Sequence, residues 1–345
     1  MTKILRAKLM CYVYEKAFGI TQIHWSFQMP ISHSFFTIEL LFNNVCCRFI
    51  SYFRLNKEAF CFLLNEMKEH FHKLVRGTAI PPILKLFNIG LAQPTISLVI
   101  KEVLNIIEQR ICAQWIKIQM TEVCSKRFKS FILFKKCFPG SSWLHQRDSC
   151  SHNFTKKRSA TSLLNRKGYY CLNVMILCDY KMSIRYVDAR HAGANHDSFV
   201  FNVSDLKVHL QNNIQNNTWI LGDAGYPLHK FLMTPYRLAK ASSPQARYNT
   251  VHSKARNIVE RTIGVLRSRF RCLLSVRGLH YTPEKATQFV NACCALHNIC
   301  QHFQVESPEE IPSTSHTTMT NDILDIEREE EDTARIIRNN IMTSL

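Results

Sequence analysis

Apolar positions fall into helical and strand periods that change along the chain. Phe60, Leu63, Leu64, Met67, Phe71 and Leu74 recur at helical spacing, within a stretch opened by Leu55-Asn56-Lys57-Glu58 and running through Val75. After Pro94, Thr95 is placed to cap a second helix carrying Ile96, Val99, Ile100, Val103, Leu104 and Ile107. From Gly168 the period shortens. Leu172–Cys178 and Ile184–Ala189 read as two strands joined by a turn at Asp179-Tyr180-Lys181. A helix is expected from His196-Asp197-Ser198 to about Leu210, and Trp219-Ile220-Leu221 reads as a short buried strand ending at Gly222-Asp223. A long loop with Pro227, Pro235 and Pro244 follows. Helices then run from about Ser253 to Phe270 and from Pro283 to about His302. Residues 1–51 show no clean period.

This pattern divides the chain into 1–51, unassigned; 52–136, helical; 137–303, mixed helix and strand; and 304–345, an acidic tail expected to be disordered before a weak terminal helix. No run approaches 18 uncharged apolar residues, so no membrane span is read. The 14 cysteines form no paired Cys-x-x-Cys units. They read as small core residues of a reduced intracellular protein rather than as zinc ligands or a disulfide scaffold.

Charge adds a partner class. The chain carries a net +18, but from Glu306 to the end there are ten acids against three arginines. The tail is therefore −7 and the remainder +25. A body this basic attracts polyanions, nucleic acid first among them. There is no Gly-rich phosphate loop, and no Ser/His/Asp or Cys/His nucleophile set stands out.

The candidate chemistry is carboxylate. Asp223 stands where an apolar strand stops, and Glu260 lies at the edge of the buried stripe of Val259, Ile263, Leu266 and Phe270. Carboxylates brought together repel unless a cation joins them, and oxygen donors suit Mg²⁺ or Mn²⁺. Each residue also has a plainer role open to it. Asp223 fits a turn, Glu260 an ion pair with Arg256 one turn earlier, and Asp197 a helix N-cap. Asp179 and Asp188 read as turn and strand residues. Lys254, Arg256, Arg261, Arg267 and Arg269 crowd the Glu260 helix as candidate phosphate contacts, or as a solvated helix face.

A series of short segments then carries a resemblance. In order they are Asn165-Arg166-Lys167-Gly168-Tyr169, Leu172-Asn173-Val174, Cys178-Asp179, Gly193-Ala194-Asn195-His196-Asp197-Ser198 and Leu221-Gly222-Asp223-Ala224-Gly225-Tyr226-Pro227-Leu228. Leu232-Met233-Thr234-Pro235-Tyr236, Tyr248-Asn249-Thr250-Val251-His252, Val259-Glu260-Arg261-Thr262-Ile263-Gly264, Arg269-Phe270-Arg271-Cys272-Leu273, Pro283-Glu284-Lys285-Ala286 and Ala295-Leu296-His297-Asn298-Ile299-Cys300 follow. Roughly Asn165 to His302 resembles the DDE-type nuclease domain of PIF/Harbinger transposases and their domesticated animal relatives. The resemblance implies an α/β, RNase H-like fold preceded by a small, truncated, helix-turn-helix-like region, with Ala92-Gln93-Pro94-Thr95-Ile96-Ser97 leading a recognition helix. It implies a Mg²⁺- or Mn²⁺-dependent nuclease acting on DNA, with Asp197, Asp223 and Glu260 as catalytic metal ligands. It further implies a nuclear (and cytoplasmic) protein with a Myb-like partner.

Two departures qualify the enzyme. The family has an Asp on its first strand, in a segment reading like Ile-Asp-Gly-Thr-His. Here, after Phe138-Pro139-Gly140, the chain reads Ser141-Ser142-Trp143-Leu144-His145-Gln146-Arg147-Asp148. Shifted by one base, that stretch can encode the family strand, but the shifted codon overlapping Gln146 begins with A and so cannot specify Asp. We expect a frameshift and a lost first carboxylate; a transcript reading through in frame with an Asp codon there would refute this. The second departure is at Leu86-Phe87, where family helical sequence is missing. The lost carboxylate favours the alternative of a non-catalytic DNA- or partner-binding protein on the same scaffold.

Overall fold

A computed structural model describes residues 50, 54–67, 70, 93–118, 130–139, 171–213, 219–274, 281–306 and 332–345, with backbone alone for 93–99, 130–139 and 171. The chain separates into two compact units, Met1–Ile116 with Leu266–Pro308, and Lys117–Val265 with Glu309–Leu345.

The first unit is helical. Helix α1 spans Lys57–Met67 and buries Ala59, Phe60, Leu63 and Met67, the helical stripe expected from their spacing. Helix α2 spans Gln93–Ile106 and continues through a π-helical turn, Ile107–Cys112, to Trp115. Asn56 side-chain N–H donates to the Phe303 carbonyl and Asn298 to the Trp115 carbonyl, tying these segments to the long helix Pro283–His302. Residues 1–49 and 71–92, which include Ala92 of the proposed recognition segment, lie outside the described residues, as do 140–170, where the frameshift is expected.

The second unit is built on a five-stranded sheet: β1 Ser130–Pro139, β2 Cys171–Cys178, β3 Ile184–Ala192, β4 Trp219–Leu221 and β5 Leu232–Met233, ordered β3-β2-β1-β4-β5. The pairs β1/β2 and β2/β3 are antiparallel, while β1/β4 and β4/β5 are parallel. Val174 to Cys178 are all fully buried, because helices cover both faces of β2. On one face Met175 and Leu177 pack with Val200, Phe201, Leu206 and Leu210, from helices α3 Asp197–Asn202 and α4 Asp205–Asn213. On the other, Thr262 of helix α5, Pro244–Arg269, donates its hydroxyl to Cys178 Sγ at 3.7 Å. In chain order the remaining helices are α6, Pro283–His302, and α7, Asp332–Thr343.

Several boundaries differ from expectation. The sheet begins at Ser130, ahead of the boundary read at 137. The segment 266–303 groups with the N-terminal helices rather than with the sheet, so 137–303 is not one compact unit. The helix expected from His196 to Leu210 breaks at Val203-Ser204, where Ser204 Oγ donates to the Phe201 carbonyl. The Glu260 helix starts at Pro244 rather than Ser253. The terminal helix is docked: Tyr236 Oη donates to Asn339 Oδ1 at 2.6 Å, Arg338 lies over the Tyr236 ring at 4.1 Å, and Ala334 is fully buried.

The described cysteines are free thiols, most of them in cores. Burial pushes the Cys112 and Cys178 thiols up to about 12, so neither is a thiolate near neutrality. Among the described residues no helix is long and apolar enough to cross a membrane.

Candidate metal and nucleic-acid site

Three acidic side chains reach the end of the sheet by three local devices, all in the second unit. Asp223 follows β4 directly. Gly222 extends the β4 pairing by donating its N–H to the Met233 carbonyl at 2.9 Å. Asp223 then closes a turn: its carbonyl accepts from Tyr226 N–H and its Oδ1 accepts from Gly225 N–H at 2.8 Å. The turn role and the placement of a carboxylate are therefore one structure. A β-carbon on Gly222 would sit 3.0 Å from Leu232 Cδ1, so the chain turns where only hydrogen fits comfortably.

Asp197 arrives from the other side. The loop 193–196 is fastened by Asn173 of β2, which donates from Nδ2 to the Asn195 carbonyl at 3.0 Å. The N-cap position is taken by His196, and Asp197 is the first residue of α3. This corrects the N-cap assignment for Asp197. At the first helical position its carboxylate is stabilised by the positive end of the helix dipole.

Gly225 shows that the two aspartates converge. A β-carbon there would lie 2.8 Å from Asp197 Oδ2 and 3.0 Å from Asp223 Oδ1. Both oxygens face the glycine's missing side chain. That is a cradle of hard oxygen donors, of the chemical type that suits Mg²⁺ or Mn²⁺.

Glu260 is linked to this pair through Arg256. Arg256 Nη2 donates to Glu260 Oε1 at 3.0 Å, the expected one-turn pairing. The opposite end of the guanidinium, Nη1, lies 4.0 Å from Asp223 Oδ2. The row is thus Asp197, Asp223, Arg256, Glu260. Among the described residues no group of three His, Cys, Asp or Glu is placed to hold an ion, and in this row the arginine stands between the third acid and the other two.

Two residues given no role in the sequence reading also belong here. Tyr226 is buried against Phe201, with ring centroids 6.0 Å apart. Burial, and then the charges of Asp197 and Asp223, hold its phenol well above the ordinary tyrosine range, so it stays neutral behind the carboxylates. His252 lies two turns before Glu260 on α5, with Nε2 3.3 Å from the Met233 carbonyl. Burial is the main force lowering its pKa, which favours the neutral ring. Both stand in segments that carried the resemblance, and the spacing of His252, Arg256 and Glu260 four apart would have marked a shared helix face.

The basic candidates divide. Lys254 and Arg261 are exposed on α5, and Arg256 and Arg267 are half-buried. Arg269 is corrected: it is 2% exposed and donates to the Val305 and Glu306 carbonyls, so it cannot meet a phosphate. Asp179 and Asp188 are structural as read. Asp179 accepts from Lys181 and Ser183 N–H in its turn and pairs with Arg185 at 2.7 Å. Asp188 pairs with Arg190 at 2.8 Å.

Among the described residues, no acid stands on the strand beside β4. The register Ile132↔Leu221 sets β1 directly beside the strand that delivers Asp223. Yet β1 reads Ser-Phe-Ile-Leu-Phe-Lys-Lys-Cys-Phe-Pro, without an acid and with Lys135-Lys136.

Residues 148–298, which hold all three candidate acids, match the family model described as DDE superfamily endonuclease. HARBI1 of Rattus norvegicus is 31% identical over 214 residues, covering 61% of this chain and 60% of the relative. Over these residues the chain is similar to the Harbinger transposase-derived nucleases. HARBI1 of Xenopus laevis is 35% identical over 155 residues, 45% of this chain and 44% of its own. A more distant member in Arabidopsis thaliana, Antagonist of like heterochromatin protein 1, is 27% identical over 109 residues, 31% of this chain and 27% of its own. The chain thus spans about 60% of the length of the rat Harbinger-type relative. No solved structure matches it significantly.

Proposed function

We propose that the sheet unit is a DNA-handling domain with a divalent-metal site of the Harbinger nuclease type, formed by Asp197, Asp223 and Glu260. The observation that carries this reading is the convergence of Asp197 Oδ2 and Asp223 Oδ1 on Gly225. A bound Mg²⁺ or Mn²⁺ would supply Lewis-acid activation of water and phosphate oxygen. The chain's own part is to hold two carboxylates through the Asp223 turn and the Asn173-fastened loop, with a neutral, buried Tyr226 behind them. Lys254 and Arg261 offer phosphate contacts on the exposed side of α5. A nuclear location agrees with DNA as substrate and with the heterochromatin-related name of the Arabidopsis relative. The Myb-like partner implied by resemblance has no observation behind it in the described residues and forms no part of the proposal.

A second reading is favoured by one specific observation: β1, next to β4, carries no acid. With one carboxylate fewer, the ions are poorly fixed and cutting falls steeply, while binding survives as a non-catalytic DNA-binding function. Purified protein with duplex DNA separates the two. The nuclease reading expects Mg²⁺- or Mn²⁺-dependent nicking that Asp223→Ala abolishes. Salt-sensitive binding without nicking, unchanged by Glu260→Ala, would replace it with the binding reading. In either case Lys254→Ala with Arg261→Ala should lower the slope of log affinity against log salt by about 2.

A further inference from the structure

Among the described residues, Arg256 is the cation paired with the candidate acids, and its position raises a question the proposed function leaves open. Its guanidinium spans from Glu260 Oε1 at 3.0 Å to Asp223 Oδ2 at 4.0 Å. The side chain is only 21% exposed, so it lies within the site rather than extending from it. The other oxygen of Asp223 faces Gly225, on the side shared with Asp197. Asp223 therefore presents one oxygen to the aspartate cradle and the other to the arginine.

A divalent ion held by all three acids would stand a few ångström from this guanidinium, and like charges at that distance repel strongly in a partly buried site. The ion gains Glu260 only if Arg256 lets it go. A DNA phosphate is the natural alternative partner, because it accepts two parallel hydrogen bonds from a guanidinium and carries the charge the arginine would lose.

We propose that Arg256 is a positioning residue that acts as the site's own cation: it holds Asp223 and Glu260 apart from metal until DNA phosphate draws it away. This rests on the carboxylate reading above. It makes metal and DNA binding mutually reinforcing, since whatever DNA does for metal affinity, metal must do for DNA affinity. Glu260 is thereby withheld in the absence of DNA, although its side chain is 42% exposed and within reach of solvent ions.

The test is a Mn²⁺ titration followed by the electron paramagnetic resonance of free Mn²⁺, on the full chain without DNA. Wild type is compared with Arg256→Gln, Arg256→Lys and Asp223→Asn, with far-UV circular dichroism to verify folding. Arg256→Gln should bind Mn²⁺ about tenfold more tightly than wild type, within the usual range for coupled sites. Arg256→Lys, which keeps the charge, should remain near wild type, and Asp223→Asn should lose the bound ion. Equal or weaker binding in folded Arg256→Gln, with binding still lost in Asp223→Asn, overturns the role of Arg256 and leaves the carboxylate site standing. No Mn²⁺ binding by folded wild type and folded Arg256→Gln overturns the carboxylate site itself, and the inference with it.

Discussion

On the nuclease reading proposed above, Gly225→Ala should cut metal-dependent cleavage by roughly 10²-fold while the protein remains folded, because displacing catalytic groups by a fraction of an ångström has costs of that order. The new methyl would meet Asp197 Oδ2 at 2.8 Å and Asp223 Oδ1 at 3.0 Å. The first contact is closer than carbon and oxygen tolerate and the second is tight, and both atoms belong to short side chains with little freedom to retreat. Asp223 is held by the Gly225 N–H itself, and Asp197 by its place at the start of α3. The carboxylates must spread, and the space between them fills with an apolar group. Single-turnover nicking with Mn²⁺, beside the melting temperature, gives the readout. Wild-type nicking by Gly225→Ala would show that the two aspartates do not act together.

Phe201→Ala should destabilise the sheet unit by roughly 3–5 kcal/mol, the usual cost of removing a buried phenylalanine. Phe201 is fully buried and touches three rings, with centroids at 6.0 Å for Tyr226, 6.1 Å for His229 and 6.4 Å for Phe231. It sits one turn after Asp197 on α3, and Tyr226 follows Gly225. The substitution therefore loosens both segments that carry the aspartates. Urea denaturation should give a lower midpoint, and Phe201→Leu should recover part of the loss by refilling the volume. A midpoint within error of wild type would show that α3 does not anchor to the sheet through this ring.

The elements that deliver the acids were legible because each has a local signal. Trp219-Ile220-Leu221 is an apolar run stopped by Gly222, and Glu260 lies beside a helical stripe of Val259 and Ile263. The Asp179 turn was legible for the same reason. What escaped depends on longer-range contacts. Strand β5 has two residues, too few to show a period, and is defined by pairing Ile220↔Leu232 and Leu221↔Met233. The first turns of α5 lack an apolar stripe, although Ser243-Pro244 is a recognisable helix start in which Ser243 Oγ accepts the Ala246 N–H. Arg269 looked like its exposed neighbours until its partners at Val305 and Glu306 came into reach. Arg256 shows both limits at once: its pairing with Glu260 follows from helical spacing, whereas its approach to Asp223 spans separate segments and needs the fold.

Strand β1 pairs with β2 on one edge and β4 on the other, by backbone hydrogen bonds that make no demand on any acidic residue. Architecture and reactivity are therefore separable in this domain. A lineage can spend its ancestral chemistry by mutation and still inherit an intact basic scaffold, on which selection is free to act for grip alone.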